Sequence, residues 1–434
     1  MNEYDTEYIA SVFLNFGFER TETPDKANYI ILNTCSVREK PEHKVFSELG
    51  KFGKLTRSSN TKIGVCGCVA QQEGENIINK FDFVHFVIGT DAIYKLDKIL
   101  EYVENGERVV DTDFYDGEYK IPHFEHTRNV VSHVSIMKGC NNFCSYCVVP
   151  YLRGREKSRD HRELLDEVKR LIDSGAKEIT FIGQNVNSYG KSLDENVDFP
   201  KFLYMANDIN GLERIRFITS HPKDFSDELL YAMRDLEKVC EFLHLPLQSG
   251  SDEVLGLMKR CYTYEEYKKK LHKAKELIPE IAFSSDFIIG FPGESDNDFL
   301  NTINAVEELR FDSIFAFKYS PRAGTSAYKI EDNVSAYKKK ERLDFILKTQ
   351  SDITYGINKR YIGEKVEVMV EGMSKRDTDV YSGRNRQNKV VNFQSAISLN
   401  IGDIVDVLIN DAKKNSLFGE LKNDKLIKEG SYDV

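Results

Sequence analysis

Hydrophobic positions recur along this chain in three successive regimes. Over residues 2–16 they follow a helical period, with Tyr8, Ile9, Val12, Phe13 and Phe16 on one stripe. Tyr29-Ile30-Ile31-Leu32-Asn33-Thr34 is a short apolar run, the pattern of a strand buried on both faces. It ends at Cys35, and a polar helix is expected from about Arg38 to Lys51. Lys62–Cys68 repeats the strand-then-cysteine arrangement, and Phe86–Gly89 predicts a third strand. Two strands that deliver cysteines at their C-terminal ends bring them together, because that edge of an open parallel sheet is where ligands gather. Residues 111–127 show no period and predict a linker.

From about 128 to 358 strands and helices alternate. Strands are expected at Val131–Met137, Glu178–Ile182, Arg214–Thr219, Phe242–Leu247, Ala282–Ile289 and Ser313–Tyr319. Helices are expected near Arg162–Ser174, Asp224–Leu236, Tyr264–Leu277, Asp298–Leu309 and Ala336–Tyr355. Such a series makes a parallel sheet with helical crossovers. Six strands are too few for a full eight-stranded barrel, so a partial, open barrel follows, with its chemistry at the strand C-termini. Beyond 358 the pattern becomes short alternating strands, Lys365–Val370, Val390–Phe393 and Ile404–Ile409, divided by Gly and Asn/Asp turns. That reads as a small β-barrel of OB-like size.

Composition narrows this picture. A chain of 434 residues with 41% hydrophobic content suggests about three domains with full cores. No apolar run approaches the roughly 20 residues of a membrane span. The polar, acidic start Met1-Asn2-Glu3-Tyr4-Asp5 is unlike a signal peptide. A cytoplasmic protein without membrane association is therefore expected. In that compartment the eight cysteines are not structural disulfides, and six of them fall within the first 147 residues in two groups, which favours metal or redox chemistry. The net charge of −10 argues against non-specific nucleic-acid binding by the whole surface, and leaves local basic sites open.

The second group is Cys140-x3-Cys144-x2-Cys147, directly after the first barrel strand. Three thiolates on one loop can hold three corners of a 4Fe-4S cube and leave the fourth iron open, whereas structural clusters take four cysteines. A structural zinc site would want a fourth protein ligand, and nearby His133 lies within a strand. The following stretch, Pro150–Arg159, carries Arg153, Arg155, Lys157 and Arg159 against Glu156 alone. It is either a solvated loop or a contact for phosphate or carboxylate near the active site.

In spacing and context the loop resembles the radical S-adenosylmethionine (SAM) superfamily. The resemblance implies that SAM chelates the open iron and that Phe143 or Tyr146 shields the cluster or packs on adenine. It implies SAM contacts at Gly183, Gln184 and Asn185 after the second strand, and at Gly290 and Glu294 in Ser285–Glu294; Leu245–Ser251 is a further candidate wall. Asn33-Thr34-Cys35-Ser36-Val37-Arg38-Glu39 and Gly67-Cys68-Val69-Ala70-Gln71 look like the N-terminal domain of the methylthiotransferase family, and the C-terminal barrel resembles a TRAM RNA-binding domain. The implied α/β multidomain fold has a methylthiotransferase N-terminal domain at 1–112, a partial (β/α)6 radical SAM barrel at 126–358 and a TRAM barrel at 359–426.

In that family three cysteines of the N-terminal domain hold a second 4Fe-4S cluster. Cys35 and Cys68 match two of them, and the third would lie two residues before Met1. A start site set too far downstream, or a truncated gene, is the expected explanation. The alternative is Cys66 as a substitute, since strand positions two apart share a face. Cys240 and Cys261 stand alone and are expected to be small buried hydrophobes.

Lys375–Lys389 has five basic residues against two acidic ones, with Tyr381 and Phe393 alongside. Cations beside aromatics suit phosphate contact with base stacking, so Arg384, Arg386 and Lys389 are candidate RNA contacts. Ser36–Glu39 and Gly383–Phe393 look most like the branch that methylthiolates C2 of an N6-(dimethylallyl)adenosine next to the tRNA anticodon, with a second SAM as methyl donor. Implied partners are the tRNA anticodon loop and a reductant such as flavodoxin or ferredoxin, with the chain a monomer. Competing expectations are the same reaction on threonylcarbamoyladenosine or on a ribosomal-protein aspartate, and a non-catalytic iron-sulfur RNA-binding protein.

Overall fold

The computed structural model describes residues 1–35, 39–56, 60–375 and 377–421. Ser36, Val37 and Arg38 of the first cysteine motif, Arg376 of the basic segment and residues 422–426 of the expected TRAM domain lie outside the described residues.

The N-terminal domain is a parallel four-stranded sheet, in the order Tyr29–Thr34, Lys62–Gly67, Val84–Ile88, Val109–Asp111. The last strand has three residues, too few to show a period, and it ends where the stretch expected to be a linker begins. Helices cover both faces. Val45, Leu49, Val69 and Ile77 close one side, while Tyr4, Tyr8, Ile9, Ile99 and Leu100 close the other. Residues 112–127 contain no helix or strand, yet they are not a loose tether. Tyr119, Ile121 and Phe124 are buried, and the Phe124 ring meets both Tyr4 and Tyr8 edge-on at 5.4 Å. The expected linker is a strap packed onto the first helix, Asn2–Asn15.

The core domain has the six expected parallel strands, at Val131–Ser135, Glu178–Ile182, Arg214–Phe217, Phe242–His244, Ala282–Ile289 and Ser313–Lys318. They lie in sequential order as two hydrogen-bonded groups of three, joined by the Ile215–Val239 bridge. Four strands end earlier than the hydrophobic pattern suggests, and beyond two of them the backbone turns left-handed, at Thr219 (φ +73°) and Gln248 (φ +76°). Side chains alternate across the sheet. Ile179, Phe181, Ile215, Phe217, Leu243, Phe283 and Phe287 pack outward under the helices, so Thr180, Arg216, His244, Ser284 and Asp286 face inward.

The C-terminal domain is a closed barrel of Lys365–Ser374, Asp377–Asn385, Val390–Gln394, Ile404–Ala412 and Leu417–Leu421. Asp377–Asn385 and Leu417–Leu421 add to the predicted strands. Much of the segment expected to be a basic RNA contact is thus a barrel strand. Its tip docks on the N-terminal ends of the core strands. Fully buried Arg214 donates to Arg384 O at 2.8 Å and to Glu367 Oε1 at 2.7 Å. Arg216 donates to Arg386 O and Asn385 O, both at 2.8 Å. Arg386 in turn donates to Glu241 Oε1 at 2.7 Å and Val239 O at 2.8 Å, and Lys389 Nζ pairs with Asp312 at 2.7 Å. This departs from the expectation for Arg386 and Lys389. Their charges are engaged between domains, because carboxylates and strand-end carbonyls of the core meet them first. Arg384 pairs with Glu371 at 3.2 Å and keeps a partly exposed side chain. Among the described residues no helix is long and apolar enough to cross a membrane.

Candidate active site

The cysteine loop is clamped from several sides. Met137–Lys138 pairs antiparallel with Lys157–Ser158, which pins both ends of the loop. Gly139 has φ +75°, and a Cβ there would come within 2.1 Å of Arg155 O, so glycine is required. Gly139 N donates to Gln184 Oε1 at 2.5 Å, Ser145 Oγ to Leu257 O at 2.7 Å, and Cys147 N to Cys144 O at 3.0 Å. Phe143 between the ligands is left-handed at φ +47°, and the Arg155 guanidinium stacks 4.3 Å from its ring.

The three thiols fit a shared cluster. Cys144 is buried, and Cys140 and Cys147 are half-buried. Burial pushes the Cys140 thiol up to about 11 and the Cys147 thiol up to about 12, each also raised by the neighbouring Cys144. Such thiols become ligands only when a metal displaces their protons. Among the described residues no three His, Cys, Asp or Glu groups converge on a single ion. A cube differs from a single ion in that each thiolate binds its own iron. Two groups that sequence reasoning missed complete the surroundings. Arg260, deeply buried, places Nη1 3.4 Å from Cys144 Sγ and donates to Pro246 O at 2.8 Å. His221 Nε2 lies 3.8 Å from the same sulfur, and burial, then the Arg260 charge, lower its pKa to about 2, so the ring is neutral. His221 follows a barrel strand, which was a usable signal; Arg260 follows a helix and carried none.

The rim of the barrel holds polar atoms without partners. Asn185 Oδ1, both amide atoms of Asn187, Ser220 Oγ and Gln248 Oε1 are buried and make no hydrogen bond. Proteins keep few such atoms. These sit at the ends of three consecutive strands, two of them beside the left-handed Thr219 and Gln248, where strain marks function. This rim fits a polar ligand such as SAM. Asn185 is further oriented by Asp224 at 2.8 Å, and Gly183 is packed so tightly that a Cβ would come within 2.6 Å of the Met137 side chain. Gly290 (φ +70°) and Glu294 form a closed turn in which Gly290 N donates to Glu294 Oε1 at 3.0 Å and Arg342 Nη1 pairs with the same oxygen at 2.5 Å. The Glu294 carboxylate, expected to meet SAM, is occupied in shaping that turn.

Of the N-terminal cysteines, Cys68 reaches the segment that follows the loop. Gly67 has φ +90°, and a Cβ would come within 2.5 Å of Thr34 O. Thr34 Oγ1 donates to Cys66 O at 2.6 Å and accepts from Val69 N at 3.0 Å. Thus the strand stops at Gly67, and Cys68 becomes the first residue of the helix Cys68–Lys80. Period-two alternation therefore does not extend to it. Cys66 packs with Tyr4, Phe86 and Ile88 inside the domain core, whereas Cys68 packs against Val148 and Leu152, next to Cys147. That corrects the alternative of Cys66 as a substitute ligand. The basic stretch is also accounted for. Arg153 pairs with Asp5 at 2.9 Å, Arg159 with Glu167 at 2.7 Å, and Lys157 Nζ donates to Tyr115 O at 2.7 Å. These residues seam the N-terminal domain and strap to the core. Arg153 does meet a carboxylate, that of Asp5.

Known proteins agree with this layout. The Radical SAM superfamily matches residues 134–306, the uncharacterized protein family UPF0004 residues 1–89, and the TRAM domain residues 359–422. The tRNA-2-methylthio-N(6)-dimethylallyladenosine synthase of Acetivibrio thermocellus is 45% identical over 427 residues, covering 97% of this chain and 88% of its own length. That of Thermoanaerobacter sp. is 46% identical over 97% of this chain and 90% of its own, and that of Clostridioides difficile 45% over 98% and 90%. Among solved structures, the radical SAM methyltransferase TsrM from Kitasatospora setae, with tryptophan substrate and a SAM analog bound, aligns with a TM-score of 0.58. It covers 86% of this chain and 76% of its own at 13% identity, a likeness of fold alone. The chain belongs to the radical SAM family of tRNA-2-methylthio-N(6)-dimethylallyladenosine synthases.

Proposed function

We propose that this chain methylthiolates C2 of N6-(dimethylallyl)adenosine next to the anticodon of tRNA, with a second SAM as methyl donor. The observation that carries the reading is the packing of Cys68 against Val148 and Leu152, which brings one N-terminal cysteine to the segment directly after Cys147. Bound at Cys140, Cys144 and Cys147, a 4Fe-4S cluster and SAM supply a radical able to take hydrogen from the unreactive C2–H. The residues do the rest. Arg260 sets a fixed positive charge beside the Cys144 sulfur, and neutral His221 lines it. Val148 and Leu152 give Cys68 an apolar cover. Gly183, Gln184, Asn185 and Gly290 shape the SAM side, with Glu294 holding the Gly290 turn.

Cys35 and Cys68 would hold corners of a second 4Fe-4S cluster, which would supply the sulfur to be methylated. The functional units are 1–112, 126–358 and 359–426, and Arg384 is the RNA contact left to the barrel tip. The protein works in the cytoplasm as a monomer, with a flavodoxin or ferredoxin as reductant. Anaerobic reconstitution with SAM and dithionite tests the chemistry through 5′-deoxyadenosine release. Mass spectrometry of tRNA nucleosides from a deletion strain tests the substrate. Persistence of the methylthio mark on the dimethylallyl nucleoside, with no second enzyme present, overturns the assignment.

A further inference from the structure

The inner face of the core barrel carries side chains that the cysteine chemistry does not use. His244 pairs in register with Ser284, and Asp286 with Phe315 on the last strand. Their side chains meet accordingly. His244 Nδ1 lies 2.7 Å from Ser284 Oγ, and its Nε2 3.4 Å from Asp286 Oδ2. The imidazole meets the Phe315 ring edge-on, with centroids 6.0 Å apart. Phe315 is 50% exposed, although the outer face of this sheet is sealed by helices, and the Asp286 side chain is 32% exposed. An open aromatic beside an open carboxylate, inside a barrel, is a place prepared for a planar ligand that donates a hydrogen bond.

We propose that Phe315 and Asp286 form the subsite for the substrate base, with His244 as a positioning residue; this rests on the tRNA reading above. A purine splayed out of a single-stranded loop stacks on Phe315. An adenine alkylated once on N6 keeps one N–H, and the Asp286 carboxylate accepts it. His244, fixed by Ser284, holds Oδ2 and so sets the plane of that carboxylate. Asp286 lies four residues before Gly290, about 13 Å down an extended strand, which leaves depth for a base between this row and the rim. The barrel tip docks below the lumen, so the base enters from above or past the last strand. A carboxylate-bearing peptide would instead meet the like charge of Asp286.

The test uses the anaerobically reconstituted full chain and three stem-loop RNAs. One carries N6-(dimethylallyl)adenosine next to the anticodon, one an abasic site there, and one N6,N6-dimethyladenosine, which has no N–H. Phe315→Ala is expected to weaken binding of the first RNA about tenfold and leave the abasic RNA unchanged, while Phe315→Tyr restores it. Asp286→Ala is expected to erase the preference for the first RNA over the third. His244→Gln is expected to weaken that preference, and to add nothing in the Asp286→Ala background. Equal binding of the first RNA by wild type and Phe315→Ala overturns the subsite, as does an equal loss for the abasic RNA. If wild type binds the first and abasic RNAs equally, the tRNA reading itself falls, and the subsite with it.

Discussion

Arg260 governs the electrostatics of the cysteine loop. Its guanidinium lies 3.4 Å from Cys144 Sγ and donates to Tyr262 Oη at 2.8 Å, and the residue is buried. A buried cation stabilises thiolate charge, and loss of such an outer partner typically lowers metal affinity or activity 10- to 100-fold. Arg260→Met is therefore expected to reduce 5′-deoxyadenosine release at least about tenfold, measured per iron bound. Glu167 is a different case. Burial alone would raise its carboxyl, but Arg159 and His126 outweigh burial and hold it at about 2. Its folded pKa is depressed, so its stabilisation is complete above the unfolded value of about 4.3 and is lost as pH falls through about 2. That shift corresponds to a contribution on the order of 3 kcal/mol. Glu167→Gln is expected to melt earlier at pH 7 and to lose less stability than wild type between about pH 5 and 2, as thermal melts across that window would reveal. Residues of both kinds escaped sequence reading. Nothing in the run Lys259-Arg260-Cys261 announces a sulfur contact, because its partner is more than a hundred positions away.

Elements were legible in proportion to how fully they are buried. The strand Glu178–Ile182 is buried at every position, and Ile179, Phe181 and Ile182 mark it in the sequence. Asp377–Asn385 did not stand out, because Asp377, Asp379, Ser382, Arg384 and Asn385 dilute any alternation, and it is a strand only through its barrel neighbours. The turn at Gly67 joins both levels. Its left-handed backbone ends a strand and starts a helix at Cys68. Gly67→Ala meets a disfavoured φ and a clash with Thr34 O, so it is expected to destabilise the N-terminal domain by about 1–3 kcal/mol. Chemical denaturation followed by far-UV circular dichroism would register the loss as a lower midpoint.

At the scale of the whole molecule, buried arginines join the domains. Arg214 and Arg216 donate to carbonyls of the barrel tip, and Arg386 returns the contact to Glu241 and strand-end carbonyls. Removing one partner of a buried, hydrogen-bonded charge costs about 3–5 kcal/mol. Arg216→Met is expected to loosen the tip, seen as faster amide hydrogen exchange over 384–389. The salt dependence of RNA binding separates anchors from contacts. Arg384→Ala is expected to lower the slope of log Kd against log salt by about 1, as loss of one phosphate contact does. Arg386→Ala is expected to weaken binding while leaving that slope unchanged.

The spacing of Cys140, Cys144 and Cys147, the six-unit strand and helix series and the small C-terminal barrel were all readable from the chain, because each is written in local periods or in short separations. Three things were decided only by tertiary structure. Cys68 faces Val148 while Cys66 turns into the core, because one left-handed glycine breaks the strand between them. The basic residues around 153 and 386 meet carboxylates and carbonyls of other domains, because long cationic side chains take the partners that packing brings nearest. Arg260, His221, Asp286 and Phe315 join their sites through contacts between distant strands and loops, and such contacts leave no period in a sequence.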